Sequence, residues 1–396
     1  MPTTAEQLRS YRGPAILSYG FRPFFLLGAI WSALVVAIWL PMLSGSISLP
    51  IAFSPLEWHV HELLYGYLPA IAAGFLLTAV PNWTGRLPVT GMPLLALLLV
   101  WIAGRLAVLI SARIGAPAAA AIDVLFLASL ACVIGREIIR GSNRQNLKVL
   151  ALVALLLVGN VVFHLEAMQP HGGPGYGMRI GIATAVLLIT VIGGRIVPSF
   201  TRNWLVRCGP GTLPAPFGRL DVIAVAAGVV SLAVWTAFPT RLVTAALALA
   251  GALMHALRLA RWAGHRTIGE PLVLVLHVAY AFVPVGFLLV ALSITLPALM
   301  MPSGALHAWT AGAIGLMTLA VMTRASLGHT GHPLTATVPV QLIYLAALLA
   351  AVTRIIAAFD VARMPLLQAS AAGWVAAFAG FAVVYWPLLA RPRSAG

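Results

Sequence analysis

The chain has 396 residues, 61% of them hydrophobic, with 24 basic and 9 acidic side chains, a formal net charge of +15 and a mean hydropathy of +1.00. At 8% charged residues it falls far below the roughly one quarter found in soluble domains. That excludes a water-soluble globule and a disordered chain, and leaves an all-α, polytopic membrane bundle.

Stretches of about 20 apolar residues, bounded by Pro, Gly and charge clusters, predict twelve spans. They run near 24–43, 57–80, 93–112, 116–137, 147–167, 178–200, 220–238, 241–262, 272–297, 305–327, 334–359 and 366–390. Residues 1–23 form a charged head, 24–390 a single transmembrane domain, and 391–396 a tail. No small-residue cleavage motif closes the first span, so it reads as a retained helix. The second span opens on Trp58-His59-Val60-His61-Glu62, and the third carries Arg105. The fourth carries Asp123 and Cys132, and the fifth closes on His164 and Glu166. His255 lies in the eighth span and His277 in the ninth. His307 opens the tenth, which ends on Arg324 and His329. His171, His265 and His332 fall in loops, as does Cys208. The two cysteines have no motif spacing, so a disulfide framework is not expected.

The basic residues sort by side. With the N-terminus in the cytoplasm, 18 Lys and Arg fall in cytoplasmic segments and 5 in outer ones, and Arg105 stays inside the bilayer. This asymmetry places both termini in the cytoplasm. Lys148 is the only lysine. The +15 is therefore a topology signal, and nucleic acid is not an expected partner.

Three span ends read alike: Thr78-Ala-Val-Pro-Asn-Trp-Thr84, Arg195-Ile-Val-Pro-Ser-Phe-Thr201 and Arg324-Ala-Ser-Leu-Gly-His-Thr330. His61 and His307 precede their threonines by the same interval, and Gly66 and Gly312 match as well. The unit implied is four helices used three times, a pseudo-threefold plan that resembles the haem–copper oxidase core subunit. Chance likeness among apolar helices that end in small residues is the competing account.

Ionisable groups in spanning helices are functional candidates, although a lone histidine there also serves as a helix–helix hydrogen bond. Depth counting gives two polar layers. His59, His61, Glu62, Arg105, Asp123, His164, Glu166 and His307 lie in the outer half. Arg195, His255, His277, Arg324 and His329 lie in the inner half. His307 and His329 are roughly 33 Å apart along one helix and cannot share an ion. The outer layer is the better metal candidate, since imidazole suits copper and haem iron. His61 and His307 would sit at matching depth as facing ligands. His59 and His61 point to opposite helix faces, so one is the ligand and the other serves a second site or a supporting bond, unless the helix is irregular there. Arg105 suits either a haem propionate or an ion pair with Asp123. The inner layer suits a second haem or an anionic headgroup; its arginines fit equally as interface-snorkelling residues. There is no phosphate loop and no C-x-x-C-H for covalent haem.

Longer blocks carry a family likeness. Gly20-Phe-Arg-Pro-Phe-Phe25, Trp58-His-Val-His-Glu62, Gly74 through Gly85, Leu276-His-Val-Ala-Tyr280, Leu306-His-Ala-Trp309 and Met322 through Gly331 resemble the NnrS family over nearly the whole chain. His332 departs from the family pattern, where Arg is expected. The resemblance implies a bacterial inner-membrane protein with haem, of b type, and copper, linked to nitric oxide handling in nitrosative stress or denitrification. The histidines that match are His59, His61, His277, His307 and His329; which bind haem and which copper stays open. His164, Arg105 and Arg324 complete the candidate set read from the residues. Binding or reductive turnover of nitric oxide, with quinol or a cytochrome as electron donor, is the first expectation. A secondary transporter, or a haem- or copper-dependent sensor or chaperone without turnover, is the alternative. The other expected partner is membrane lipid.

Overall fold

The computed structural model describes residues 11–170 and 172–392; Arg9, His171 and Arg393, used above, lie outside them. Twelve helices are long and apolar enough to cross a membrane, so this is a multi-pass membrane protein. They are α1 (Phe21–Leu43), α2 (Pro55–Thr84), α3 (Met92–Leu109), α4 (Ala116–Arg140), α5 (Arg144–Ala167) and α6 (Tyr176–Leu205), followed by α7 (Arg219–Ala237), α8 (Leu242–Ala260), α9 (Pro271–Thr295), α10 (Pro302–Thr330), α11 (Val338–Phe359) and α12 (Arg363–Ala390). No strand occurs among the described residues. All twelve predicted spans are present, with ends shifted by a few residues.

Three helices differ from the rest. α2, α6 and α10 are the longest, at 30, 30 and 29 residues, and their apolar windows are 78%, 67% and 78% buried against 33–61% for the others. Each also breaks from α geometry. π-helical segments occupy Glu62–Tyr67 in α2, Ile189–Gly193 in α6 and Ala308–Gly315 in α10. The first and third begin at the same distance before Thr84 and Thr330 and directly follow His61 and His307. Thr84, Thr201 and Thr330 each donate to the carbonyl four residues back. The three helices matched in the sequence thus share length, burial and a π segment, and α2 and α10 share its position. A π segment widens the turn and shifts the side chains around it, and such segments gather at functional sites.

The chain divides into two compact units. Unit 1 contains residues 1–181, 325–333 and 378–396; unit 2 contains 182–324 and 334–377. In unit 1, α1 packs on α2, α3 on α4 and α4 on both α2 and α5. In unit 2, α8 packs between α7 and α9, and the π segment of α10 packs on α9 and α11.

Local chemistry sets the ends of α2. Ser54 Oγ accepts from the Glu57 N–H (3.3 Å), Glu57 Oε2 accepts from the Ser54 N–H (2.8 Å), and Pro55 opens the first turn. This capping box satisfies donors that would otherwise be orphaned. At the other end Gly85 takes φ 69°, a left-handed value that stops the helix and favours glycine. In between, α1 and α2 meet closely at Gly74, where an added Cβ would stand 2.7 Å from the Phe25 ring and 3.3 Å from the Phe21 Cα. Gly74→Val should therefore separate α1 from α2. The expected loss is about 1–3 kcal/mol, read as a lower unfolding temperature in detergent.

Candidate functional site

The polar centre of unit 1 assembles from four helices. His61 and Glu62 come from α2, Arg105 from α3, Asp123 from α4, and Asn160 and His164 from α5. His61, Glu62 and Asp123 are at most 1% exposed, and Arg105 and His164 at most 4%. Charges this deep must be paired. The Arg105 guanidinium bridges both carboxylates, donating to Glu62 Oε2 (2.7 Å) through Nη1 and to Asp123 Oδ1 through Nη2. Trp31 Nε1 also donates to Glu62 Oε2 (2.8 Å). Of the two roles weighed for Arg105, its geometry here is the ion pair. An added Cβ at Gly66 would collide with the guanidinium, so glycine lets Arg105 lie against the π segment. Trp101 Nε1 donates to the Gly66 carbonyl (2.9 Å) within that segment.

The histidines meet around Asp123. His61 Nδ1–H donates to Glu62 Oε1 (2.9 Å). With its proton at Nδ1 a neutral His61 presents Nε2 as a lone pair, whereas a protonated ring donates from Nε2 to the oxygens beside it. His61 Nε2 lies 3.2 Å from His164 Nε2, 3.2 Å from Asp123 Oδ2 and 3.1 Å from Asn160 Oδ1. His164 Nε2 lies 3.0 Å from the same Asp123 oxygen, and Asn160 Nδ2 donates to it (2.8 Å). Among the described residues, His61, Asp123 and His164 are the one group of three His, Cys, Asp or Glu whose ligand atoms all lie within 4.8 Å of one another.

These separations fit a small ion. Donors on a metal with bonds of about 2.0 Å stand about 2.8 Å apart at a right angle and about 3.3 Å apart at the tetrahedral angle. The observed 3.0–3.2 Å lies between. Two imidazoles with a carboxylate suit copper(II), zinc or ferrous iron. The Glu62–His61 bond is the carboxylate–histidine support usual behind a metal ligand. With neutral imidazoles, two carboxylates against one guanidinium leave one negative charge for a cation to balance. A haem does not fit at this point, because imidazole nitrogens 3.2 Å apart leave no room for a porphyrin plane between them.

The other candidates take separate places. His59 stacks on Trp39, with ring centroids 4.0 Å apart, so the two histidines of the motif do divide between different surroundings. In unit 2, His307 Nδ1–H donates to the Ser303 carbonyl (2.7 Å), and Arg324 lies over the Phe200 ring at 4.1 Å. His277 Nε2–H donates to Thr201 Oγ1 (2.8 Å), whose own proton goes to the Val197 carbonyl. In unit 1, His329 packs against Tyr19 and Phe21.

Unit 2 has a polar cluster of its own. Arg258 is 1% exposed. It donates through Nε to Asp221 Oδ1 (2.9 Å) and through Nη1 to the Thr190 carbonyl (2.9 Å) of the α6 π segment and to Tyr280 Oη (3.0 Å). Tyr280 Oη–H donates to His255 Nδ1 (2.9 Å). His255 Nε2 and His277 Nδ1 have no partner. An added Cβ at Gly228 and at Gly264 would stand 2.7 and 2.6 Å from these atoms, so both rings pack on backbone.

The family model described as NnrS protein matches residues 15–393. The chain belongs to the NnrS family. No curated protein sequence matches it. The resemblance read from the motifs holds at the level of the family; His164 was a candidate from the sequence, and its meeting with Asp123 and Asn160 comes from geometry. Sequence reasoning grouped Asp123 with His61 and His164 in one layer but paired it only with Arg105, and it passed over Asn160. Asn160 stands four residues before His164, so both occupy one face of α5; that spacing was the available signal.

Arg105→Met would leave two buried carboxylates with no cation. We expect a loss of about 3–5 kcal/mol in unfolding. Arg105→Lys should fall between, because one ammonium cannot reproduce the two-pronged contact.

Proposed function

We propose that this NnrS-family chain is a metal-binding membrane protein that handles nitric oxide, with His61, Asp123 and His164 holding one small transition-metal ion. Copper is the first choice. The observation that carries the proposal is the convergence of two imidazole nitrogens and one carboxylate oxygen within 3.2 Å of one another in a buried pocket. Family membership supplies the link to nitric oxide.

In this reading each residue has a defined task. His61 and His164 present Nε2 lone pairs. Glu62 holds the His61 proton at Nδ1 and orients the ring. Arg105 keeps both carboxylates ionised and in place. Asn160 steadies Asp123 Oδ2 and turns its own carbonyl oxygen towards His61. A bound copper ion would supply a one-electron redox centre with affinity for nitric oxide. A haem, if the chain carries one, belongs elsewhere, with His59, His277, His307, His329 and Arg324 as the remaining candidates. Quinol or a cytochrome would serve as electron donor for reductive turnover; metal binding without turnover would make the protein a sensor or chaperone. The arginine distribution supports an inner-membrane orientation with both termini in the cytoplasm, which puts this cluster in the outer half of the bilayer.

The test is metal and haem analysis of the purified protein and of single variants. His61→Ala, His164→Ala and Asp123→Ala should each lose the bound copper, with affinity falling by well over the roughly 10–100-fold typical of a supporting residue. Glu62→Gln should fall within that smaller range, and His307→Ala should leave this copper in place. Full copper content in all three ligand variants would sink the assignment.

A further inference from the structure

The cluster described above is buried, so any ligand for it needs a way in. One side of unit 1 has one. A cavity of about 20 Å³ reaches the ring of His164 and is lined by Ala52, Phe53, Ala119 and Met168 among others. Space of this size holds one water-sized molecule. It leads outward, since Ala52 is exposed and Met168 is 37% exposed, and ends inward at His164, which is 4% exposed.

Phe53 stands between the two ends. Its ring stacks on His164, with centroids 5.5 Å apart, and tilts over His61 at 5.0 Å. It therefore covers both imidazoles while forming part of the cavity wall. The backbone that carries it is held before and after the ring: the Ala112 N–H donates to the Pro50 carbonyl (3.0 Å), the Ala52 N–H donates to Ser111 Oγ (2.8 Å), and Ser54 sits in the capping box of α2. The partly buried ring is also packed edge-on against Phe163, with centroids 5.7 Å apart, so access past it requires a rotamer change of the side chain.

The lining also selects by chemistry. Ser111 is a polar lining residue, and its hydroxyl is engaged, accepting from Ala52 and donating to the Val108 carbonyl (2.7 Å). Apart from His164, the other lining side chains are apolar. An ion entering here would lose its hydration with nothing to replace it. A small neutral molecule would not.

We propose that Phe53 and the cavity beside it form a size and charge filter that admits a neutral molecule no larger than a diatomic gas to the His61–His164–Asp123 centre. This rests on reading that cluster as a metal centre. It goes further by assigning an entry route, and it names Phe53 and Ala119 as residues that set access without holding the metal.

The test uses full-length protein produced in copper-supplemented cells, so that metal is supplied before folding is complete, then reduced to copper(I) in detergent, with copper content measured first. Carbon monoxide, methyl isocyanide and tert-butyl isocyanide serve as neutral probes of rising size, followed by the infrared stretch of the bound ligand. The parent protein should bind carbon monoxide and refuse both isocyanides, and binding of methyl isocyanide as fast as carbon monoxide would overturn the size limit. Phe53→Ala should admit all three and speed carbon monoxide binding about tenfold, whereas Ala119→Val should slow it about tenfold, both at unchanged copper content. Equal binding of all three probes by the parent, or unchanged rates in both variants at full copper, would overturn the filter and leave the metal centre standing. A parent protein that takes up no copper would overturn the metal centre and the filter with it.

Discussion

A guanidinium buried among apolar helices has to be neutralised where it stands, since no water is present to do it. Arg105 meets that demand with two carboxylates from two other helices, Glu62 and Asp123. This single requirement ties α2, α3 and α4 together. It also organises what lies beyond. Once Arg105 holds one oxygen of each carboxylate, the second oxygens are aimed at His61 and at the α5 pair, Asn160 and His164. The candidate metal site is thus the far side of an ion-pair network. Losing the arginine would unbalance both.

The π segments make this geometry possible. His61 and Glu62 are neighbours in sequence and in a regular helix would not face one another. Here the wide turn starts at Glu62, and His61 donates to the very next side chain. Gly66 in the same segment lets Arg105 approach the backbone. Unit 2 uses related parts. Arg258 is held by Asp221 and donates to a carbonyl of the α6 π segment. There, however, the histidine nitrogens left over pack on glycine backbone and bring no second ligand with them. A buried arginine beside a π segment is a shared device, and only in unit 1 does it frame a cluster of metal-type donors among the described residues.

How much of the site was legible follows from which signals are local. The Trp58-His59-Val60-His61-Glu62 motif marked the correct helix, and depth counting grouped Glu62, Arg105, Asp123 and His164 in one layer. It also put His307 in that layer; His307 belongs to unit 2, where its Nδ1–H donates to the Ser303 carbonyl. The partner within reach of His61 is His164, 103 residues along the chain. Asn160 went unseen because an amide in an apolar helix carries no charge to flag it. Phe53 went unseen because it lies in a loop between spans, where an aromatic residue has no periodic context.

Hydropathy is a sum over neighbouring residues, so the sequence alone determined the twelve spans and their approximate ends. It also determined that α2, α6 and α10 are alike, since their matching intervals are a property of the chain. Only the tertiary structure decided which ionisable groups meet, which of the two motif histidines turns towards a carboxylate, and which of them a small cavity reaches. Those outcomes depend on helix rotation and on π turns of a few residues, and a pattern read along one dimension does not record either.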